Sequence, residues 1–250
     1  MAYPSQSLPE IEYASKMLEA LKGRVVWDNM LLGKYYVFRD RLHAGEILAS
    51  LLQEEDLKGL VLAIPNGGIP VGVALTGKLR IGFDLAICRK LQIPWNKEAG
   101  FGALAPDGSL ALNEKLMESL NLNSKVLEAQ KRKALEELEE KERVFRGDRP
   151  PPHLKGEHVI LVDDGLASGY TMLAAVRYAW RGGASKVVVA IPTGSVRALK
   201  LVAGEAWKVY CANVRGDLLG FAVADAYQQW YDVSDGEALE WLRRIRGWRS

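Results

Sequence analysis

Short, almost wholly apolar runs alternate along this chain with longer stretches in which apolar residues recur every three or four positions. The apolar runs at 60–64, 83–88, 159–162, 186–191 and 206–211 predict strands. Their near-continuous hydrophobicity predicts strands covered on both faces. The periodic stretches predict helices at 39–52 (Leu42, Ile47, Leu48 and Leu51 on one face), 71–79, 172–180 and 196–202. An amphipathic helix is predicted at 8–21, carried by Ile11, Met17, Leu18 and Leu21, and a strand-like stretch at 25–38 with Trp27, Tyr35, Tyr36 and Val37. Ser234-Asp235-Gly236-Glu237 has the Ser-then-Glu spacing of a capping box and opens a last helix running to Arg244. Such β/α alternation implies an α/β fold with an open, mainly parallel sheet and helices on both faces. Ligands of such sheets sit beyond the carboxyl ends of the strands.

Two stretches break the alternation. Residues 91–112 hold Pro94, Gly100, Gly102, Pro106 and Gly108, and are expected to form a long irregular, lid-like loop. Residues 125–146 read as a long charged helix with an apolar stripe of Val126, Ala134, Leu135, Leu138 and Val144. Favourable pairs are expected between Glu137 and Lys141 and between Glu139 and Arg143, on a solvated face. Pro150, Pro151 and Pro152 end it. Without internal repeats, 1–250 is expected to be a single domain, with 1–37 and 212–250 as terminal additions able to build a small hood.

Composition narrows the function classes. With 33 basic and 31 acidic residues the net charge is +2, so no basic excess points to nucleic acid. No apolar stretch is long enough to span a bilayer, and the polar opening of the chain is unlike a signal peptide. Cys88 and Cys211 lie in apolar runs and read as core thiols. The expectation is a soluble cytoplasmic protein. His43, His153 and His158 show no metal-ligand spacing.

The chemistry concentrates in Val159-Ile160-Leu161-Val162-Asp163-Asp164-Gly165-Leu166-Ala167-Ser168-Gly169-Tyr170-Thr171. A buried strand delivers two adjacent carboxylates, and a turn of small and hydroxyl residues leads into a helix. Glycines let backbone approach a ligand closely, and a helix N-terminus favours an anion. Acids and hydroxyls at a helix start also serve as ordinary caps. Pro65-Asn66-Gly67-Gly68-Ile69-Pro70 occupies the same predicted sheet edge after another strand, and Arg89-Lys90 follows a third.

The first of these motifs resembles the ribose-phosphate signature of the type I phosphoribosyltransferases, which use phosphoribosyl pyrophosphate (PRPP). The resemblance implies that family's Rossmann-like fold. It also implies that Asp163 and Asp164 hold the ribose hydroxyls while Gly165, Leu166, Ala167, Ser168, Gly169, Tyr170 and Thr171 wrap the 5′-phosphate. Asn66, Gly67 and Gly68 would grip pyrophosphate, and Arg89 and Lys90 would neutralise it. Mg²⁺ is the implied cofactor, with Asp163 and Asp164 meeting it directly or through water.

Phe38-Arg39-Asp40-Arg41, Ala44-Gly45, Arg89-Lys90-Leu91 and the Trp230-Tyr231…Val233-Ser234-Asp235 tail narrow the resemblance to a group of phosphoribosyltransferases of unassigned acceptor. That group typically has arginine where this chain has Asn66. An amide can bond pyrophosphate but does not neutralise it. Some purine-specific relatives place an acid where Ala167 stands. The small residue here, with the Arg-Lys pair, is closer to adenine phosphoribosyltransferases, so a purine-like base is slightly favoured.

The implied activity is Mg²⁺-dependent phosphoribosyl transfer to a nitrogenous base in nucleotide salvage, releasing pyrophosphate. Asp163, Asp164, Lys90 and Glu98 are the candidate catalytic residues, with Glu98 the candidate base and Trp95 able to stack on the acceptor. The alternative is a PRPP-sensing regulatory or binding protein on the same fold. Partners are then PRPP and a small-molecule base, without nucleic acid or membrane. Relatives are often dimers, so a homodimer is one expectation, with Trp27, Trp230 or Trp248 at the contact.

Overall fold

A computed structural model describes residues 3–53 and 59–245, the side chains of Lys97 and Glu98 excepted. Its strands are β1 (Val25–Trp27), β2 (Leu60–Ala63), β3 (Gly82–Leu85), β4 (Arg89–Ile93), β5 (Asn96–Leu104), β6 (Leu110–Leu112), β7 (His158–Val162), β8 (Lys186–Ser195) and β9 (Lys208–Arg215). Its helices are α1 (Leu8–Glu19), α2 (Arg41–Leu52), α3 (Gly68–Leu79), α4 (Glu114–Ser119), α5 (Ser124–Arg146), α6 (Tyr170–Arg181), α7 (Val196–Ala203) and α8 (Asp235–Leu242). Six strands pair in parallel in the order β1-β9-β8-β7-β2-β3.

Side chains alternate across these strands, so one set faces each layer. Leu62, Leu161, Val189 and Val209 pack with α1, α6 and α7. Val61, Ile160, Val162 and Val188 pack with α2, α3, α5 and α8. Each fully buried aliphatic side chain contributes about 1.5–3 kcal/mol, which accounts for the apolar runs at the centres of β2, β7 and β8. The predicted α/β architecture is the one observed. Cys88 and Cys211 are buried free thiols whose titration burial pushes up. The predicted capping box is formed: Ser234 Oγ accepts from the Glu237 amide, and Glu237 accepts from the Ser234 amide at 2.9 Å.

Three expectations are corrected. Of the strand-like stretch 25–38, only Val25–Trp27 pairs in the sheet, against β9. Beyond it the backbone turns repeatedly, with Gly33 and Tyr36 at positive φ. The segment 91–112, expected to be irregular, instead forms an antiparallel sheet in the order β4-β5-β6. Leu91, Ile93, Phe101 and Leu104 pack on α5 through Ala134. Its glycines serve close pairing: a Cβ at Gly102 would lie 2.5 Å from the Ala111 carbonyl oxygen.

The long helix also turns a different stripe inward than expected. Its buried residues are Ala134, Leu138, Phe145 and Arg146, whereas Leu135 and Val144 are exposed. Arg146 is drawn in by buried Asp84, with Nη1 to Oδ1 at 2.5 Å. Lys141 bonds Asp235 rather than serving the expected pair with Glu137, which faces Arg89 and Lys133.

The two terminal additions knit together beyond the end of β9. The Gln6 amide donates to the Gly216 carbonyl at 2.9 Å and accepts from its N–H at 2.8 Å. Glu10 accepts from the amides of Leu218 and Leu219. The amides of Tyr36 and Phe38 donate to Asp225 and Ala226. Both segments therefore build one cap, from which Val223 reaches Gly165.

Candidate functional site

β7 ends at Val162, and the next two residues carry the acids to the carboxyl edge of the sheet. Their environments differ. Asp164 Oδ2 accepts from Arg41 Nε at 2.9 Å, its carbonyl accepts from the Tyr227 hydroxyl at 2.6 Å, and only 16% of its side chain is exposed. Arg41 is 6% exposed, donates to the Tyr231 carbonyl at 2.9 Å, and lies 4.0 Å from the Trp230 ring centre.

Asp163 instead lines a cleft of about 160 Å³ with Lys90, Val223 and residues of the 165–172 turn. Its Oδ1 accepts from the Asp164 amide at 2.8 Å. Burial first, then the neighbouring Asp164 charge, push Asp163 well above the usual carboxylate range. Burial also pushes Asp164 up, against the pull of Arg41.

The turn is stitched to the end of β8. Leu166 donates to the Thr193 carbonyl and accepts from the Ser195 amide, each at 2.9 Å, and Ser195 Oγ donates to the Ala167 carbonyl. The Leu166 side chain is core, so its part in the cleft is backbone. Gly169 adopts φ +87° immediately before α6, a conformation that strains any other residue. The positive end of α6 opens beside Ser168 and Thr171, where the cleft suits an oxyanion.

The loop after β2 packs directly on the acids. A Cβ at Gly67 would stand 2.0 Å from Asp164 Oδ2, and one at Gly68 would meet the Val162 carbonyl and the Asp163 Cα. The Pro65–Asn66 peptide is cis. Asn66 Nδ2 donates to the Val233 carbonyl at 2.9 Å and to Asp235 Oδ1 at 2.7 Å, tying the loop to the start of α8. Of the cation doublet, Lys90 lines the cleft, whereas Arg89 pairs with Glu137 on α5 at 3.6 Å, as strand alternation requires. Trp95 is exposed at the β4–β5 turn, and Trp230 packs on Arg41 within the fold. The Glu98 side chain and Trp248 lie outside the described residues.

The structure thus brings together Asp163, Asp164, the 165–171 turn, Gly67, Gly68 and Lys90. It adds Arg41, Tyr227, Val223 and Trp230, to which sequence reasoning gave no role at the acids. One signal for Arg41 was present: a cation as the first residue of a helix opposes the helix dipole, so it needs a local anion.

A parallel sheet carrying paired acids and an anion-ready turn at its carboxyl edge is the frame of the phosphoribosyltransferases, and the comparisons agree. The phosphoribosyl transferase domain family matches residues 105–193. The Mycobacterium tuberculosis protein named "Putative phosphoribosyl transferase Rv0571c" is 36% identical over 209 residues, which is 83% of this chain and 47% of that protein. A second M. tuberculosis strain supplies the equivalent protein, MT0597, with the same figures. This chain therefore spans about half the length of the curated relatives it matches. The crystal structure of TT1426 from Thermus thermophilus is 32% identical, with a TM-score of 0.65 over 82% of this chain and 98% of that one. These matches place a phosphoribosyl transferase domain in this chain. Among the described residues, no helix is long and apolar enough to cross a membrane.

Proposed function

We propose that the chain binds PRPP and transfers its 5-phosphoribosyl group to a nitrogenous base, releasing pyrophosphate. The carrying observation is the cleft that joins the Asp163 carboxylate to the 165–171 turn and the N-terminus of α6. In this reading the turn amides and the Ser168 and Thr171 hydroxyls bind the 5′-phosphate. Asp163 binds a ribose hydroxyl from within the cleft, and Asp164 takes the second hydroxyl while held by Arg41. The backbone at Gly67 and Gly68 receives pyrophosphate, and Lys90 offsets the charge developing on the leaving group. Glu98 remains the proposed base, and a purine-like acceptor is the proposed class.

Mg²⁺ fits the donor set. Asp163 is a hard oxygen ligand whose ionised form is disfavoured by burial and by Asp164, so a cation would favour ionisation. Among the described residues no cluster of three or more His, Cys, Asp or Glu could hold a metal alone. Asp163 and Asp164, directly or through water, would share Mg²⁺ with substrate oxygens. When bound, the ion would stabilise charge on departing pyrophosphate. Arg41 fixes the acid beside it, and Gly67 brings the loop into contact with that acid.

A PRPP-binding regulator is the second reading, favoured by Asn66, whose amide is engaged by Val233 and Asp235. Release of pyrophosphate from PRPP and Mg²⁺, measured across a panel of nucleobases, tests the proposal. Base-dependent release supports the enzyme. Tight PRPP binding with no release for any base supports the regulator.

A further inference from the structure

The Pro65–Pro70 loop contains no lysine or arginine, and both Asn66 Nδ2 hydrogens face oxygens of the C-terminal segment. A cation nevertheless stands beside it. Lys141, carried on α5, donates to Asp235 Oδ1, the same oxygen that accepts from Asn66. Two donors on one oxygen are no more than ~6 Å apart at ordinary hydrogen-bond lengths. The Lys141 side chain is only 17% exposed, whereas Asp235 is 43% exposed. The ammonium is thus held in place from the side of the fold.

The surroundings sharpen the point. Burial pushes Asp235 up, but bonds from Lys141 and Asn66, with the charges of Lys141 and Arg89, outweigh it and hold the carboxyl below its usual range. Two cations from separate elements therefore converge on one acid beside the loop. Arg89 is shared with Glu137 at 3.6 Å. Arg41 is engaged by Asp164, and Lys90 lies in the cleft with the turn. Lys141 is the cation that the hydrogen bonds bring nearest to Asn66.

We propose that Lys141 supplies from α5 the positive charge that the 65–70 loop lacks, and binds the pyrophosphate group of the substrate. The inference rests on the PRPP reading above and deepens it. The site becomes composite, with backbone from the loop and charge from a helix about 75 residues downstream, as the numbering shows. A lysine acts there as a point charge able to leave one oxygen for another, which a bidentate arginine does less readily.

Calorimetric titration of the whole chain with two separate probes, inorganic pyrophosphate and ribose 5-phosphate, each with Mg²⁺, tests this. Lys141→Met is expected to weaken pyrophosphate binding at least tenfold and to leave ribose 5-phosphate binding within about twofold. Lys141→Arg is expected to keep most of the pyrophosphate affinity. A folded Lys141→Met variant that binds pyrophosphate like the parent overturns the inference while leaving the PRPP reading intact. Parent protein that binds neither probe overturns both. Should Lys141→Met fail to fold by thermal melt, Lys141→Gln, which keeps a donor toward Asp235, is read by the same criteria.

Discussion

Replacing Arg41 by methionine tests the ion pair at the centre of the site. The substitution keeps much of the aliphatic stem but removes the guanidinium from Asp164 Oδ2, 2.9 Å away, and from the Trp230 face. Asp164 would stay 16% exposed beside Asp163, with no replacement cation on the same oxygen. Removing one partner of a buried pair costs about 3–5 kcal/mol, because the surviving charge stays desolvated. Asp164 has an escape: burial already raises its titration, so without Arg41 it can take up a proton.

The expected loss is therefore about 3 kcal/mol near neutral pH, shrinking as pH falls and the lone carboxyl protonates. With a urea slope of about 2 kcal/mol/M, the midpoint drops by roughly 1.5 M. Asp164→Asn, alone and combined with Arg41→Met, completes a double-mutant cycle with an expected coupling of about 1.5–3 kcal/mol. A loss under about 1 kcal/mol at neutral pH, or full additivity in the cycle, would refute the reasoning.

Further expectations follow from the same geometry. Gly67→Ala forces a Cβ to within 2.0 Å of Asp164 Oδ2, so loop or acid must shift. A loss of about 1–3 kcal/mol is expected, together with weaker pyrophosphate binding, and an unchanged melt and affinity would contradict the packing. Asp163 titrates above its ordinary range, so the folded state holds its proton more tightly than the unfolded chain. Stability then falls as pH rises through the raised value; urea midpoints across pH should be flatter in Asp163→Asn, and equal slopes would exclude this. Arg89→Ala removes a pair with 25% and 38% exposed partners and should cost under about 1 kcal/mol. Lys90→Ala should weaken pyrophosphate binding with little change in melting temperature, and the opposite pattern would take the leaving-group role from Lys90.

The sheet was legible because its central strands are buried on both faces, which forces the contiguous apolar runs of β2, β7 and β8. The acids and the turn were legible because they are contiguous in sequence. Arg41 was not, since 123 residues separate it from Asp164 and only the fold brings them together. The role of Asn66 was what the resemblance implied for its place in the loop, whereas its amide is directed by Val233 and Asp235, more than 160 residues away. The antiparallel sheet was hidden because glycines and prolines at 91–112 suggest a loop. Here the glycines permit close strand approach, and Pro94 with Trp95 forms the hairpin turn between β4 and β5. In α5 the stripe was shifted by Asp84, which pulls Arg146 inward with Phe145.

The interlocked cap carries a consequence for how the cleft comes into being. Gln6 and Gly216 stand 210 positions apart, yet their paired bonds anchor the stretch that ends in Val223, a wall of the cleft. A nascent chain whose later third has not emerged can already lay down the early βα units, but it has no finished pocket to offer a ligand. Competence to bind therefore arrives late, when distant parts of the polypeptide close upon each other.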